Sequence, residues 1–277
     1  VPTEVPTPGY WVHDLDPVAL RFPAGWPLAG IHWYGLAYAT AFLLGGWLMA
    51  RWRRAGLAPL RHAADDSALL TALMVGVVVG GRIGHVVLYA REAFLADPTM
   101  VFRVWQGGMA FHGGLVGATL GTAWFARSRG LAFLAVGDLV CALAPAGLLL
   151  GRLANFVNAE LIGRPSDLPW AVVFPLPGGL WSPPSHPSQL YEAFLEGAVL
   201  LIWMGFRYPL RRADGRLSGE FLLLYAAFRS LTELARLPED GYILGLTAGQ
   251  FWCLPMAAAG VWLLLRAPQG GEQPSSR

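Results

Sequence analysis

The sequence predicts an all-α polytopic membrane protein of about seven transmembrane helices, and three observations carry that prediction. Hydrophobic residues make up 55% of the 277-residue chain and charged residues only 14%, where a soluble domain carries about a quarter charged. Several near-continuous apolar runs approach the ~20 residues that a helix needs to cross a bilayer. The 20 basic residues, all of them arginine, concentrate in alternate loops between these runs.

Seven spans follow in order: 32–50, 67–90, 108–126, 134–151, 188–206, 218–235 and 247–265, the sixth the least hydrophobic. Arg51, Arg53, Arg54 and Arg61 follow the first, and Arg127 and Arg129 the third. Arg207, Arg211, Arg212 and Arg216 follow the fifth, and Arg266 the seventh. The positive-inside rule assigns these loops to the cytoplasm. The N-terminus, loops 91–107 and 152–187 and the turn 236–246 then face outward, with the C-terminus inside. Residues 1–31 read as an extracytoplasmic arm, 32–265 as the transmembrane catalytic domain, and 266–277 as a polar, disordered cytoplasmic tail. A Pro- and Trp-rich stretch at 165–187 reads as a small extracytoplasmic cap. The opening VPTEVPTPGYWVHDLDP lacks a basic n-region followed by an apolar h-region, so no cleavable signal peptide is expected. Trp105, Trp170 and Trp181 suit interfacial anchors. Cys141 and Cys253 lie within apolar runs, where Cys acts as a small hydrophobe, and predict neither a disulfide nor a metal site. Asp138 reads as a cap at the inner start of the fourth span.

Gly76, Gly80 and Gly84, and Gly113, Gly117 and Gly121, recur at i,i+4. Small residues at that spacing let helix backbones approach closely within a membrane, which favours packing over ligand binding. Gly107, Gly108 and Gly114 break the spacing beside His112 and leave room for a head group.

Ionisable residues inside spans are costly and point to function. Here they gather at one depth. Tyr34 opens the first span after His32, Arg82 and His85 lie in the outer half of the second, and His112 opens the third. Arg152, Asn155 and Asn158 close the fourth; His186, Ser188, Gln189, Tyr191, Glu192 and Glu196 begin the fifth. Tyr225, Arg229, Glu233 and Arg236 share a face of the sixth by their spacing. The stretch GRLANFVNAELIGR (151–164) is densest. Read as helix, it sets Arg152 and Asn155 at i,i+3 and Glu160 and Arg164 at i,i+4. A guanidinium beside amides grips a phosphate; the alternative is a helix end whose charges pair with each other, as Arg229 and Glu233 can. Polar groups from six spans at the outward depth describe a cavity open to the outer leaflet and suited to an anionic lipid. Spans 1, 3 and 5 carry almost no polar residue at the inner depth, against a phospholipid transporter or scramblase; no internal repeat aligns, against an inverted-repeat transporter. No His or carboxylate pair has metal-ligand spacing.

These residues resemble the bacterial prolipoprotein diacylglyceryl transferases. GRLANFVNAELIGR is similar to that family's signature, which usually has Gly where this chain has Ala154 and Ala159. HWYG (32–35), GGRIG (80–84), FRVWQGGMAFHGGLVG (102–117), HPSQLYE (186–192) and YAAFRSLTE (225–233) stand around it in the family's order, from about residue 13 to 265. The cap is short for the family, and the two alanines are expected to cost little unless backbone must touch ligand.

The resemblance implies transfer of the sn-1,2-diacylglyceryl group from phosphatidylglycerol to the lipobox cysteine thiol of a preprolipoprotein signal peptide. A thioether forms and glycerol 1-phosphate leaves. It implies a multi-pass protein of the bacterial cytoplasmic (inner) membrane, active toward the outer leaflet among membrane lipids, with no cofactor, metal or nucleic acid. Another membrane lipid-group transferase is the nearest alternative. The expected catalytic residues are His112 as general base, Arg152 and Arg229 as phosphate clamp and Tyr225 as proton relay. Tyr34 and Asn155 hold the head group, and Glu160, Glu192 and Glu233 orient the arginines. Arg82, Asn158, Gly163, Arg164 and Arg236 complete the expected substrate-binding set.

Overall fold

Among the residues described, apolar runs have become long helices wherever a span was read. The computed structural model describes residues 9–23, 25–26, 30–104, 107–211, 213–238 and 241–266. Trp105, Arg212, the first eight residues and the tail from 267 lie outside them. The chain divides into two compact units, residues 46–140 and residues 1–45 with 141–277. Helix α1 (Trp33–Arg54) and helix α5 (Phe133–Val157) contribute to both.

In the 46–140 unit, α2 (Ala63–Leu88) and α4 (Phe111–Ser128) pack along their length. The glycine spacing explains why. A Cβ on Gly117 would overlap the Gly76 backbone, and one on Gly80 would overlap Gly113 and Gly117. The two glycine rows therefore face each other in a backbone-to-backbone seam, as their spacing predicts. At the other end of α2, Asp65 accepts from the backbone N–H groups of Arg61 and His62 (3.3 and 3.0 Å) and pairs with Arg129 at 3.2 Å. Asp66 pairs with Arg53 at 2.9 Å. Two acids in the first turn also suit the positive end of the helix dipole. Beyond α2 come α3 (Arg91–Ala96) and a 3₁₀ turn (Pro98–Phe102), where Thr99 and Arg103 hold the Asp97 carboxyl below the usual carboxylate range. Asp138 lies well inside α5 and is fully buried, so it is not the cap its position suggested.

In the other unit, helix α6 (Ser188–Leu210) runs α-helical over Ser188–Glu192, π-helical over Ala193–Val199 and α-helical again over Leu200–Arg207. Helices α7 (Arg216–Thr232) and α8 (Ala248–Arg266) pack closely where Gly219 meets Gly260. The all-α expectation holds for the spans but not for the N-terminal arm and the connecting segments, which among the described residues form four two-stranded pairs. Strands β1 (Trp11–Val12) and β4 (Val172–Val173) are parallel. The pairs β2 (Val18–Arg21) with β3 (Gly30–His32), β5 (Pro175–Leu176) with β6 (Leu180–Trp181), and β7 (Tyr242–Ile243) with β8 (Leu246–Thr247) are antiparallel. Strands of two to four residues leave no alternation for a sequence to reveal. The N-terminal arm is tied down by burial: His13 lies among Trp11, Phe156 and Phe174, and its Nε2 is 2.8 Å from the Phe156 carbonyl oxygen.

Among the described residues four helices, α2, α5, α6 and α8, are long and apolar enough to cross a membrane. Their outer faces show large apolar side chains such as Phe194, Ile202, Val87 and Leu265, each more than 60% exposed. Contiguous surface of that kind belongs in lipid. The chain is a membrane protein.

Replacing Gly117 by Ala forces the seam apart and is expected to lower stability by about 2 kcal/mol or more. Gly147→Ala, whose new methyl would meet nothing within 4 Å among the described residues, is expected to be neutral or stabilising by about 0.5–1 kcal/mol. Thermal unfolding of the two variants in detergent measures the contrast.

Candidate functional site

The segment 151–164 is half helix and half tight loop. Helix α5 ends at Val157, and Ala159 and Leu161 both adopt the left-handed conformation, with φ of 55° and 56°. Glu160 and Arg164 are therefore not helical i,i+4 partners, contrary to the helical reading. The reversal folds Glu160 back on α5: its N–H donates to the Asn155 carbonyl at 2.9 Å, and its carboxylate accepts from Asn155 Nδ2 at 3.0 Å. Asn155 Nδ2 also donates to the Tyr34 hydroxyl at 2.8 Å. Glu160 thus orients the buried Asn155, and through it Tyr34, where an arginine was expected. Asn158 is half-buried, its N–H closing on the Ala154 carbonyl at 3.0 Å. Gln189 Nε2 and Ser188 Oγ hold the loop by donating to the carbonyls of Glu160 (2.5 Å) and Leu161 (3.0 Å).

Gly163 is wedged between two strands of backbone. A Cβ there would overlap the carbonyl oxygens of His186 and Ala235. This close approach lets the Gly163 N–H bond His186 (3.1 Å) and the Arg164 N–H bond Ala235 (2.8 Å). Arg164 Nε donates to the Arg236 carbonyl at 2.9 Å and Nη2 to the Tyr242 hydroxyl at 3.3 Å.

Three helices bring charges together in the same unit. Arg152 of α5 donates its Nε to Glu192 of α6 at 2.7 Å. Arg229 of α7 places Nη1 at 3.1 Å from the same carboxylate and pairs with Glu233 one turn on. Arg236, just past α7, is 3.1 Å from Glu192 and 3.9 Å from Glu233. Glu192 is fully buried and shared by all three guanidiniums. The approach of α6 to α5 depends on Gly197, where a Cβ would sit 2.6–2.9 Å from Leu149. Gly249 at the start of α8 likewise leaves the space that the Glu233 carboxylate occupies. Tyr225 is buried one turn before Arg229, its ring stacked on Phe221 at 5.9 Å.

Arg82 and His112 belong to the other unit. Arg82 is buried and all three of its nitrogens donate to backbone carbonyls: Nε to Val101 at 3.2 Å, Nη1 to Gly107 and Gly108, Nη2 to Met100 and Arg103. In this structure its donors are used on the carbonyls of Met100, Val101, Arg103, Gly107 and Gly108. His112 sits exposed in the first turn of α4, edge-on to Phe111, at an apolar groove of about 1020 Å³ between α2 and α4. The His85 ring lies 6.0 Å from that of Tyr89, tilted by 32°.

The sequence model of prolipoprotein diacylglyceryl transferases matches residues 21–266. The chain belongs to the prolipoprotein diacylglyceryl transferase family. It is 48% identical over 261 residues to the phosphatidylglycerol–prolipoprotein diacylglyceryl transferase of Methylococcus capsulatus, covering 91% of this chain and 95% of that one. The proteins of the same name from Rhodospirillum centenum and Pseudomonas aeruginosa are 46% and 43% identical, over 92% of this chain and 93% and 94% of theirs.

The arginine–carboxylate cluster of this diacylglyceryl transferase includes one acid that the sequence-based site omitted. Glu196 is fully buried, 3.7 Å from Arg229 and 3.9 Å from Arg152, and accepts from the Thr232 hydroxyl at 2.8 Å. Its i,i+4 spacing from Glu192, inside an apolar run, was the available signal.

Ala159 corrects a second expectation, that alanine there costs little. A left-handed φ of 55° disfavours any side chain with a Cβ by about 1–2 kcal/mol. Ala159→Gly is expected to stabilise the protein by about 1 kcal/mol, while Ala154→Gly, inside α5, is expected to destabilise it by about as much. Paired melting curves measure both.

Proposed function

We propose that this chain transfers the sn-1,2-diacylglyceryl group of phosphatidylglycerol to the lipobox cysteine thiol of preprolipoproteins, the first step of lipoprotein maturation. Two relatives' traits support it: they share most of this chain's length, and their names state those two substrates. The observation within this chain that carries the reading is the pair Arg152 and Arg229, drawn from two helices onto one buried carboxylate.

The chemistry assigns the groups. The thiol sulfur attacks C3 of the lipid glycerol; the S–C3 bond forms as the C3–O bond breaks, and the electron pair leaves on the phosphate oxygen of glycerol 1-phosphate. Sulfur and C3 must be held in line, near ~3–3.5 Å. Charge grows on the departing phosphate, so cations aimed there lower the barrier. Arg152 and Arg229 take the phosphate oxygens with the N–H groups that their carboxylate partners leave over. Glu192 and Glu233 fix the planes of these guanidiniums, and Arg236 adds a third cation on Glu192. Tyr34 and Asn155, locked by Glu160, present polar edges to the glycerol head group. Asn158, Gly163 and Arg164 shape the loop around it. His112 takes the thiol proton, in its neutral form near pH 7, and Tyr225 relays a proton beside Arg229. The nucleophile comes from the substrate, so the chain needs no reactive Cys and no cofactor.

In the membrane, seven helices span, with the N-terminus outside and the C-terminus inside the bacterial cytoplasmic membrane. Arg51, Arg53, Arg54, Arg127, Arg129 and Arg207 support that orientation. Residues 1–31 form the outer arm, 32–265 the catalytic domain, 165–187 the cap and 266–277 the inner tail. The site then opens toward the outer leaflet.

Incubating purified protein in detergent with phosphatidylglycerol and a lipobox peptide should add one diacylglyceryl unit to the peptide cysteine and release glycerol phosphate. A Cys→Ser peptide should gain nothing. Arg152→Ala and Arg229→Ala are expected to lower kcat/KM by about 10²-fold or more; turnover near wild type would remove the clamp from the mechanism. His112→Gln is expected to lower the rate and flatten its pH dependence, and an intact profile at normal rate would remove it as the base.

A further inference from the structure

Glu196 has no part in the reaction as assigned above, yet it is as fully buried as Glu192. It stands inside the π-helical turn of α6, one turn beyond Glu192. From α5 it faces Arg152, from α7 Arg229, Tyr225 and Thr232, and on its own helix Glu192. Its distances of 3.7 and 3.9 Å to the guanidiniums are longer than the 3.1 and 2.7 Å that Glu192 makes to the same pair. Its Oε1 is held by Thr232, while its Oε2 is buried without a hydrogen bond among the described residues and has Arg152 Nη2 only at 3.9 Å. A buried carboxylate oxygen left in this way calls for an explanation beyond packing.

The charge count supplies it. Arg152, Arg229 and Arg236 meet Glu192, Glu196 and Glu233, so the cluster is formally neutral. A phosphodiester brings one negative charge, and the glycerol 1-phosphate that leaves carries more at neutral pH. Where water is scarce, each unit of charge beside a phosphate weighs heavily on its affinity. Without Glu196 the cluster would carry a net positive charge and would hold the departing phosphate more tightly than the arriving lipid.

We infer that Glu196, anchored by Thr232 against the Arg152–Arg229 pair, is a positioning residue that sets the charge of the phosphate clamp and thereby permits product release. This rests on the lipid-phosphate reading of the site. Glu192 orients the guanidiniums through short contacts; Glu196 acts on them from farther off, through its charge.

The test is inhibition of the transfer reaction by added glycerol 1-phosphate, with phosphatidylglycerol and a lipobox peptide as substrates. In Glu196→Gln the inhibition constant should fall by about tenfold, the KM for the lipid should fall less, and kcat should drop as release becomes limiting. Glu196→Asp, which keeps the charge, should inhibit as wild type does. If Glu196→Gln does not fold, Arg236→Gln is compared with the double variant Glu196→Gln/Arg236→Gln, which is formally neutral. The double variant should bind the product about tenfold more tightly than Arg236→Gln alone. An unchanged inhibition constant in either comparison, or an Asp variant that behaves like Gln, overturns the inference. Transfer by the wild-type protein in the same assay tests the lipid reading separately.

Discussion

A carboxylate removed from water and shared by three arginines is the constraint around which one unit of this protein is built. Glu192 is fully buried, and Arg152, Arg229 and Arg236 reach it from 2.7 to 3.1 Å. Breaking such a buried set by removing one partner costs about 3–5 kcal/mol, because a charge is left uncompensated. The helices must therefore keep their spacing, and the sequence supplies the means at the backbone. Gly197 brings α6 against Leu149 of α5, and Gly249 leaves room for Glu233. The π-helical turn after Glu192 is a local departure of the kind that recurs at functional sites. Here it carries the second acid, Glu196.

The 46–140 unit is held together by a different device. Along its α2–α4 seam, Gly76, Gly80 and Gly84 meet Gly113 and Gly117 backbone to backbone, and Gly121 meets Ala72. Lipid-facing helices gain nothing from hiding apolar surface among themselves, so close van der Waals approach has to supply the association. Arg82 gives its donors to the carbonyls of Met100, Val101, Arg103, Gly107 and Gly108, backbone groups of a kind that needs a hydrogen-bond partner when buried. An arginine within an apolar helix is a functional signal by default, and in this structure Arg82 directs its donors to backbone carbonyls.

These contrasts explain what could be read from residues alone. Apolar runs and i,i+4 glycines are periodic, and periodicity is what one sequence displays; the long helices and the glycine seam were legible for that reason. The pairing of Arg229 with Glu233 was legible too, since both lie within two turns of one helix. The bridge from Arg152 to Glu192 joins separate helices and leaves no periodic trace. The left-handed turns at Ala159 and Leu161 were hidden because neither is glycine, the residue that usually announces such a turn. Reading through them as helix made Glu160 a partner for Arg164, whereas the reversal delivers it to Asn155. The short β pairs had no alternation to find, and Glu196, grouped with the outward polar residues of the fifth span, had no partner that spacing alone could name.

Two acids set against the same two arginines bear on how a site made of ion pairs can also bind an anion. Charges that neutralise each other and charges that grip a phosphate were opposed readings of the same residues, and the geometry removes the opposition. A guanidinium offers five N–H donors in a plane, so one edge can meet a carboxylate while another stays available. Arg152 uses Nε toward Glu192 and directs Nη2 toward Glu196 at only 3.9 Å, and its side chain keeps 17% of its surface accessible. A compact ammonium in its place would lose that division between two edges. The carboxylates fix the planes of the guanidiniums before a lipid arrives, so orientation is not spent at the moment of reaction. They also hold the total charge near zero, and a clamp of that kind can strengthen its contacts as charge develops on the phosphate without trapping the phosphate once it has left.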